Sequence, residues 1–248
     1  MAIAIGEPIK IDLEPIKRLK ADLRVAAATL TTEEVRYMVD SYYAIQDYRK
    51  ASGNQQRALG DAEPHTLLDW YFSQMDTVEA EIKKALDLWT DGQVVGRWAK
   101  SIVGIGPVLS AGLLAHIDIT KAPTVGHIWR YAGLDPTSKW GKGQKRPWNA
   151  SLKVVQWKLG QSFMKFQNHK DDFYGKLYVQ RKAYEIGRNT AGELADQAAA
   201  ALTAKKIGKD TVAYKAYIVG RLPDAHVDAR ARRWTVKLYL SHFHAVAF

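Results

Sequence analysis

The chain has no cysteine. That excludes disulfides, thiolate nucleophiles and cysteine-ligated zinc, and it accords with a reducing compartment. No apolar run comes near the roughly 18 residues of a membrane span. Met1-Ala2-Ile3-Ala4-Ile5-Gly6-Glu7 lacks a basic n-region and a long apolar h-region, so no secretory signal is expected. The expected location is the cytoplasm. No stretch alternates apolar and polar residues for a useful length, so strands are not expected. Walker-type glycine loops, His-Glu-x-x-His and nucleophile elbows are missing. His242 and His244 stand at i and i+2, which on a helix point to different faces and make a poor metal pair. The carboxylates of residues 1–100 are scattered, with no cluster of the kind a two-metal site needs. No metal site and no cofactor are expected.

What the chain does have is helix-forming sequence and an uneven charge. Its 248 residues are 47% hydrophobic, enough for a sizeable core in one large domain or two small ones. The formal net charge is +10. Residues 1–100 hold 13 Lys+Arg against 16 Asp+Glu, whereas residues 101–248 hold 23 against 10. A basic half argues for a polyanion partner, nucleic acid before membrane, since no basic amphipathic anchor stands out.

The pattern predicts an all-α protein. Leu13 to Leu30 has apolar residues at helical spacing, and Thr31-Thr32-Glu33-Glu34 opens a second helix toward Leu59. Gly60 and Pro64 bracket a break, and Thr66 starts a long amphipathic helix that Asp91-Gly92 ends. Two shorter helices follow, Gln93 to Ile102 and Val108 to His116. His116 and the following Asp118 read as packing or capping residues. Thr124 caps a short helix, Asn149 opens another, Asp171 caps a third, and an Ala-rich helix spans Ala191 to Lys205. The last helix runs from about His226 to Ala245. This gives three expected regions: an N-terminal helical scaffold over 1–92 that could dimerise, a helix-hairpin-helix unit over 93–168, and a basic helical region over 169–248.

Three elements carry candidate chemistry. The first is Gly104-Ile105-Gly106, where one helical pattern ends and another starts at once. Glycines accept φ > 0, and successive amides before a helix N-terminus can meet a phosphate without any side chain. A tight packing turn is the plain alternative. The second is the loop after Asp135, with Lys139, Trp140, Lys142, Lys145, Arg146 and Trp148 and no acid, followed by Asn149 and Lys153. Cations interleaved with aromatics suit phosphate contact plus stacking. The third is the last helix, where Arg230, Arg232, Arg233 and Lys237 form a second basic patch.

Trp98-Ala99-Lys100-Ser101-Ile102-Val103-Gly104-Ile105-Gly106-Pro107-Val108, then Ala111 to Ile117, then Ile128-Trp129-Arg130-Tyr131-Ala132-Gly133-Leu134-Asp135-Pro136 resemble one known domain. It is the C-terminal transposase domain of the DEDD-type insertion-sequence recombinases, the group guided by a bridge RNA. That family reads Pro-Gly-Ile-Gly-Pro, Ala-x-x-Leu-Leu-Ala-x-Ile and Tyr-Ala-Gly-Leu-x-Pro, then Gly-Asn-x-x-Leu-Arg, to which Asn149-x-x-Leu152-Lys153 is similar. The resemblance covers roughly residues 75–168. Val103 stands where the family has Pro, and the loop before Asn149 is shorter. The RuvC-like domain with four acids that precedes this region in the family has no counterpart in residues 1–70. The resemblance implies handling of DNA or structured RNA, and it makes Ser138 the best match to the family's nucleophilic serine, with Ser151 second. A terminal helix such as Arg232 to His242 resembles those of compact phage and mobile-element proteins.

The expected function is therefore DNA binding through phosphates and shape, with structured RNA as a further partner and a homo-oligomer as an option. One alternative is a serine recombinase subunit using Ser138, which would bring in a divalent metal. Another is a structural or interaction protein of a phage.

Overall fold

The computed structural model describes residues 18–19, 21–59, 66–204 and 206–248. Among them are eleven α-helices, one 3-10 turn and no strand. The helices are α1 (Ala21–Ala27), α2 (Thr32–Leu59), α3 (Thr66–Asp91), α4 (Val94–Lys100), α5 (Pro107–His116), α6 (Val125–Tyr131), α7 (Ala150–Phe166), α8 (Tyr174–Thr190), α9 (Ala195–Ala204), α10 (Val212–Ile218) and α11 (Asp224–Ala247). The all-α expectation holds. Of the helix expected over Leu13–Leu30, only α1 falls among the described residues, and the break at Gly60 and Pro64 lies outside them. No described helix is long and apolar enough to cross a membrane.

Local chemistry sets the helix starts. The Thr31 hydroxyl accepts from the Glu34 N–H at 3.3 Å, while the Glu34 carboxylate accepts from the Thr31 N–H at 2.8 Å. This reciprocal capping box opens α2. Pro107 at the first position of α5 has no N–H to leave unpaired and is preset for helix. Thr124 departs from expectation, because its hydroxyl meets His127 Nδ1 at 3.0 Å and caps no backbone amide. Asp171 departs too. It is the buried Asp172 whose carboxylate accepts the N–H groups of Gly175 (3.1 Å) and Lys176 (2.8 Å) at the start of α8.

Helix α5 lies at the centre because it is apolar on every side, and such a helix is stable only when covered all round. Its Val108, Ala111 and Ala115 pack on Val35 and Val39 of α2 and on Leu86 and Trp89 of α3. Its Leu113 joins the main core with Ile105, Leu152, Leu159, Phe163, Tyr239 and Phe243. A Cβ on Gly112 would sit 3.1 Å from Val155 and 3.6 Å from Val39, so this glycine admits α7 and α2 on either side. Phe163 stacks on Tyr174 with centroids 4.8 Å apart. Truncating such a fully buried ring costs about 3–5 kcal/mol. A small third core of Leu194, Ala198, Leu222 and Val227 holds α9 against the start of α11.

Candidate nucleic-acid interface

The segment between α6 and α7 is the one long irregular stretch among residues 93–168, and it is folded on its own tryptophans. Gly133 ends α6 at φ +68°, and a Cβ there would sit 2.9 Å from Trp148 Cγ. The indole therefore rests directly on this backbone. The Tyr131 carbonyl accepts the Asn149 N–H at 2.8 Å and closes the base of the loop. Within it, the Trp140 indole N–H donates to the Gln144 carbonyl at 2.7 Å, and Gln144 Oε1 accepts the Gly141 N–H at 3.1 Å. Trp140 and Trp148 meet edge to face, with centroids 6.3 Å apart.

Cations cover this aromatic pair. The Arg146 guanidinium lies 5.2 Å from the Trp140 centroid and Lys153 Nζ 4.1 Å from the Trp148 centroid. Contacts of this kind are worth about 0.5–2 kcal/mol, depending on solvent exclusion. Burial lowers the pKa of Lys153, and the charges of Arg146 and Arg233 lower it further. These three cations, drawn from the loop, α7 and α11, thus share one electropositive locus. Lys139, Lys142 and Lys145 are exposed, and none makes an ion pair among the described residues.

Other sequence candidates are placed differently. Asn149 caps α7, accepting the Leu152 N–H at 2.8 Å, and its Nδ2 donates to the Tyr131 hydroxyl at 2.9 Å. Arg230 is held by Glu185 (2.9 Å) and Gln197 (2.6 Å). Arg232 Nε lies 2.7 Å from Asp228 Oδ2, and Asp228 also takes the Tyr178 hydroxyl and Lys182 Nζ. Arg233 is exposed and faces Lys153, whereas Lys237 Nζ lies 4.1 Å over Trp129 of α6. The patch on α11 is therefore split: Arg230 and Arg232 tie α11 to α8 and α9 or close on their own helix, Arg233 lies beside Lys153, and Lys237 lies over α6.

In the hairpin, Gly104 takes φ +90° and its carbonyl accepts the Ser162 hydroxyl of α7. A Cβ on Gly104 would sit 3.0 Å from Ser162 Oγ and 3.1 Å from the Phe166 ring. Ile105 is buried and its N–H donates to the Ile102 carbonyl at 3.0 Å. Gly106 is extended, and a Cβ there would meet nothing within 4 Å, so its backbone is the open member of the three.

Ser138 Oγ has Asp135 Oδ2 as its partner at 3.4 Å, a long contact. Asp135 also accepts the Thr137 N–H (2.9 Å) and hydroxyl (2.7 Å), which hold its carboxyl below the usual range. Ser151, the second candidate, is half-buried in the first turn of α7. No three acids or histidines converge on one point among the described residues. His242 Nδ1 meets the Tyr174 hydroxyl at 2.7 Å, and His244 Nε2 meets the Ala122 carbonyl at 2.8 Å.

Two features escape a linear reading. One is a cleft of about 810 Å³ lined by Arg36, His116, Lys121, Arg130 and Tyr131, in which the buried His116 ring makes no hydrogen bond. The other is a smaller pocket beside Lys153 that includes Gln156 and Trp157. A glutamine among the apolar positions of α7 is the signal that could have marked the second.

No curated protein and no solved structure matches the chain. The model of the Transposase IS116/IS110/IS902 family matches residues 97–174, from within α4 to the first residue of α8, and this stretch is accordingly a transposase-like domain.

Proposed function

We propose that the protein binds DNA, with the α6–α7 loop as the principal contact. Lys139, Lys142, Lys145 and Arg146 meet backbone phosphates, Lys153 adds charge from α7, and the exposed Trp140 stacks on or wedges beside bases. The observation that carries this reading is the part of the loop after Asp135, which holds four cations and no acid. Its lysines are exposed and form no ion pair among the described residues, and Trp148 rests on the backbone that ends α6. The family name of the matched domain supports a place in DNA transposition or recombination. The open backbone at Gly106 supports a further phosphate contact. Recognition of this kind follows charge and shape more than sequence.

The test is a titration of duplex, branched and single-stranded DNA, and of structured RNA, at several salt concentrations. Affinity for DNA should fall with salt, with a log–log slope of several units. Salt-insensitive or absent binding would sink the proposal, and a clear preference for structured RNA would reassign the surface.

A further inference from the structure

The pocket beside Lys153 is built from one stripe on each of two helices. Lys153, Gln156, Trp157 and Gly160 follow the i, i+3, i+4, i+7 spacing of one face of α7. Ala229, Arg232, Arg233 and Val236 repeat that spacing on α11. The helices approach closely at Gly160, where a Cβ would sit 3.2 Å from Val236. Small residues at Gly133, Gly160 and Ala229 leave about 220 Å³ between them. That is below the roughly 300–1,000 Å³ of pockets for drug-sized ligands and well above the roughly 30 Å³ of one water, so it suits a single ring-sized group.

The lining is unusual in its polar content. No acid lines the pocket, and three cations do. The carboxamide of Gln156, 2% exposed, has no hydrogen-bond partner at either Oε1 or Nε2. Buried amides are nearly always paired, so a fully orphaned one on a pocket wall asks for a ligand that brings both a donor and an acceptor. Trp157 lies at the same pocket with 61% of its surface exposed, an apolar plane that the protein itself leaves uncovered.

We infer that this pocket takes one unstacked adenine nucleotide of the bound strand. A glutamine amide pairs bidentately with the N6 donor and N7 acceptor of adenine. Trp157 covers the face of the ring, as aromatic side chains do for extruded bases. Lys153 and Arg233 neutralise the attached phosphate. The inference rests on the DNA-binding reading above and adds to it a place where a base leaves the stack.

The experiment compares labelled duplexes, fully paired or carrying one unpaired adenine or one unpaired thymine, alongside a titration with dAMP alone. The unpaired-adenine duplex should bind about tenfold more tightly than the paired one, the scale of one bidentate base contact. Gln156→Met keeps the volume and removes the amide. It should abolish that preference, leave paired-duplex affinity unchanged and not lower the melting temperature. Trp157→Ala, at an exposed position, should also reduce the preference and serves if Gln156→Met misfolds. Equal binding of all duplexes, or a preference that survives both variants, would overturn the inference while leaving the DNA-binding reading intact. Saturable dAMP binding without any strand preference would make the pocket one for a free nucleotide and overturn strand capture. Failure of every duplex to bind would sink the DNA-binding reading instead, and the dAMP titration then decides the pocket alone.

Discussion

Arg230 Nε donates to Glu185 Oε2 at 2.9 Å, and this bond turns a candidate phosphate ligand into a strut between α11 and α8. Glu185 is 1% exposed and also takes Arg181 Nη2 at 2.5 Å. Burial pushes the Glu185 carboxyl up, but the hydrogen bonds from Arg230 and Arg181 outweigh it and hold it below the usual range. Arg230→Ala should therefore act on stability. Removing one partner of a buried pair costs about 3 kcal/mol or more, and Arg181 keeps the loss near the low end. Denaturant melts should report that loss, while the salt slope of DNA binding stays unchanged. A lower slope with no loss of stability would return Arg230 to the binding surface.

The loop cations should behave in the opposite way. Lys145→Ala and Arg146→Ala should leave the melting temperature close to the parent's, because neither holds a buried group. Each should weaken DNA binding across sequences alike and lower the salt slope by about 1 if it meets a phosphate. Arg146→Ala should also loosen Trp140, over which the guanidinium lies at 5.2 Å. A blue- or red-shifted tryptophan emission in that variant alone would report it.

Gly104→Val and Gly106→Val should separate packing from ligand contact. Gly104 sits at φ +90° with Ser162 and Phe166 at the limit of contact. A β-branched residue there is strained by backbone and neighbours together, a cost of at least about 1–2 kcal/mol. Gly106 is extended and open, so Gly106→Val should fold like the parent. Weaker DNA binding by folded Gly106→Val would mark a close backbone approach, and unchanged binding would make the hairpin a packing element only.

These pairs show what a linear reading can and cannot reach. The box at Thr31 and Glu34 and the Asn149 cap depend on spacings of three residues, and both were legible. So is the turn between α4 and α5, where Gly104 takes φ +90°. Asp172 and Asp171 are neighbours of the same type, and only the close packing of Gly175 against Gln167 and Phe163 decides which carboxylate turns inward. Arg230 and Arg233 lie three residues apart on one helix. Which of them meets a buried acid depends on Glu185, 45 residues away. Charge counting finds the basic half, but only tertiary structure says which cations remain free.

His116 offers a pH test. Its ring is buried with neither nitrogen bonded, and burial first, then the charge of Arg36, lowers its pKa against a smaller opposing effect of Asp40. Below the ordinary histidine value near 6.5 the unfolded chain binds this proton more readily than the folded one, so stability should fall as pH drops from that value toward the lowered one. His116→Leu should flatten the pH dependence of the melting temperature in this window. The carboxylates held low, such as Glu185 and Asp228, lose their contributions only at lower pH. An equally steep profile in His116→Leu would assign the effect to other groups.

The last prediction concerns strand chemistry at Ser138. Attack by a serine on a phosphodiester needs a base or metal to take the hydroxyl proton and positive charge to stabilise the phosphate. The loop supplies the charge through Lys139, Lys142 and Arg146. The proton acceptor is where the site falls short. The carboxylate nearest Ser138 Oγ is Asp135 at 3.4 Å, already committed to Thr137 and held below the usual pKa range, which makes it a weak base. The isolated chain should therefore bind supercoiled and branched DNA in magnesium or manganese without cleaving it or forming a covalent adduct. Ser138→Ala should bind as the parent does. The discriminating measurement is denaturing electrophoresis of protein incubated with end-labelled DNA. An adduct that forms with the parent and vanishes in Ser138→Ala would make the serine a nucleophile and turn Asp135 into the first residue to test as its base. An adduct that persists in Ser138→Ala but is lost in Ser151→Ala would move the nucleophile to the first turn of α7.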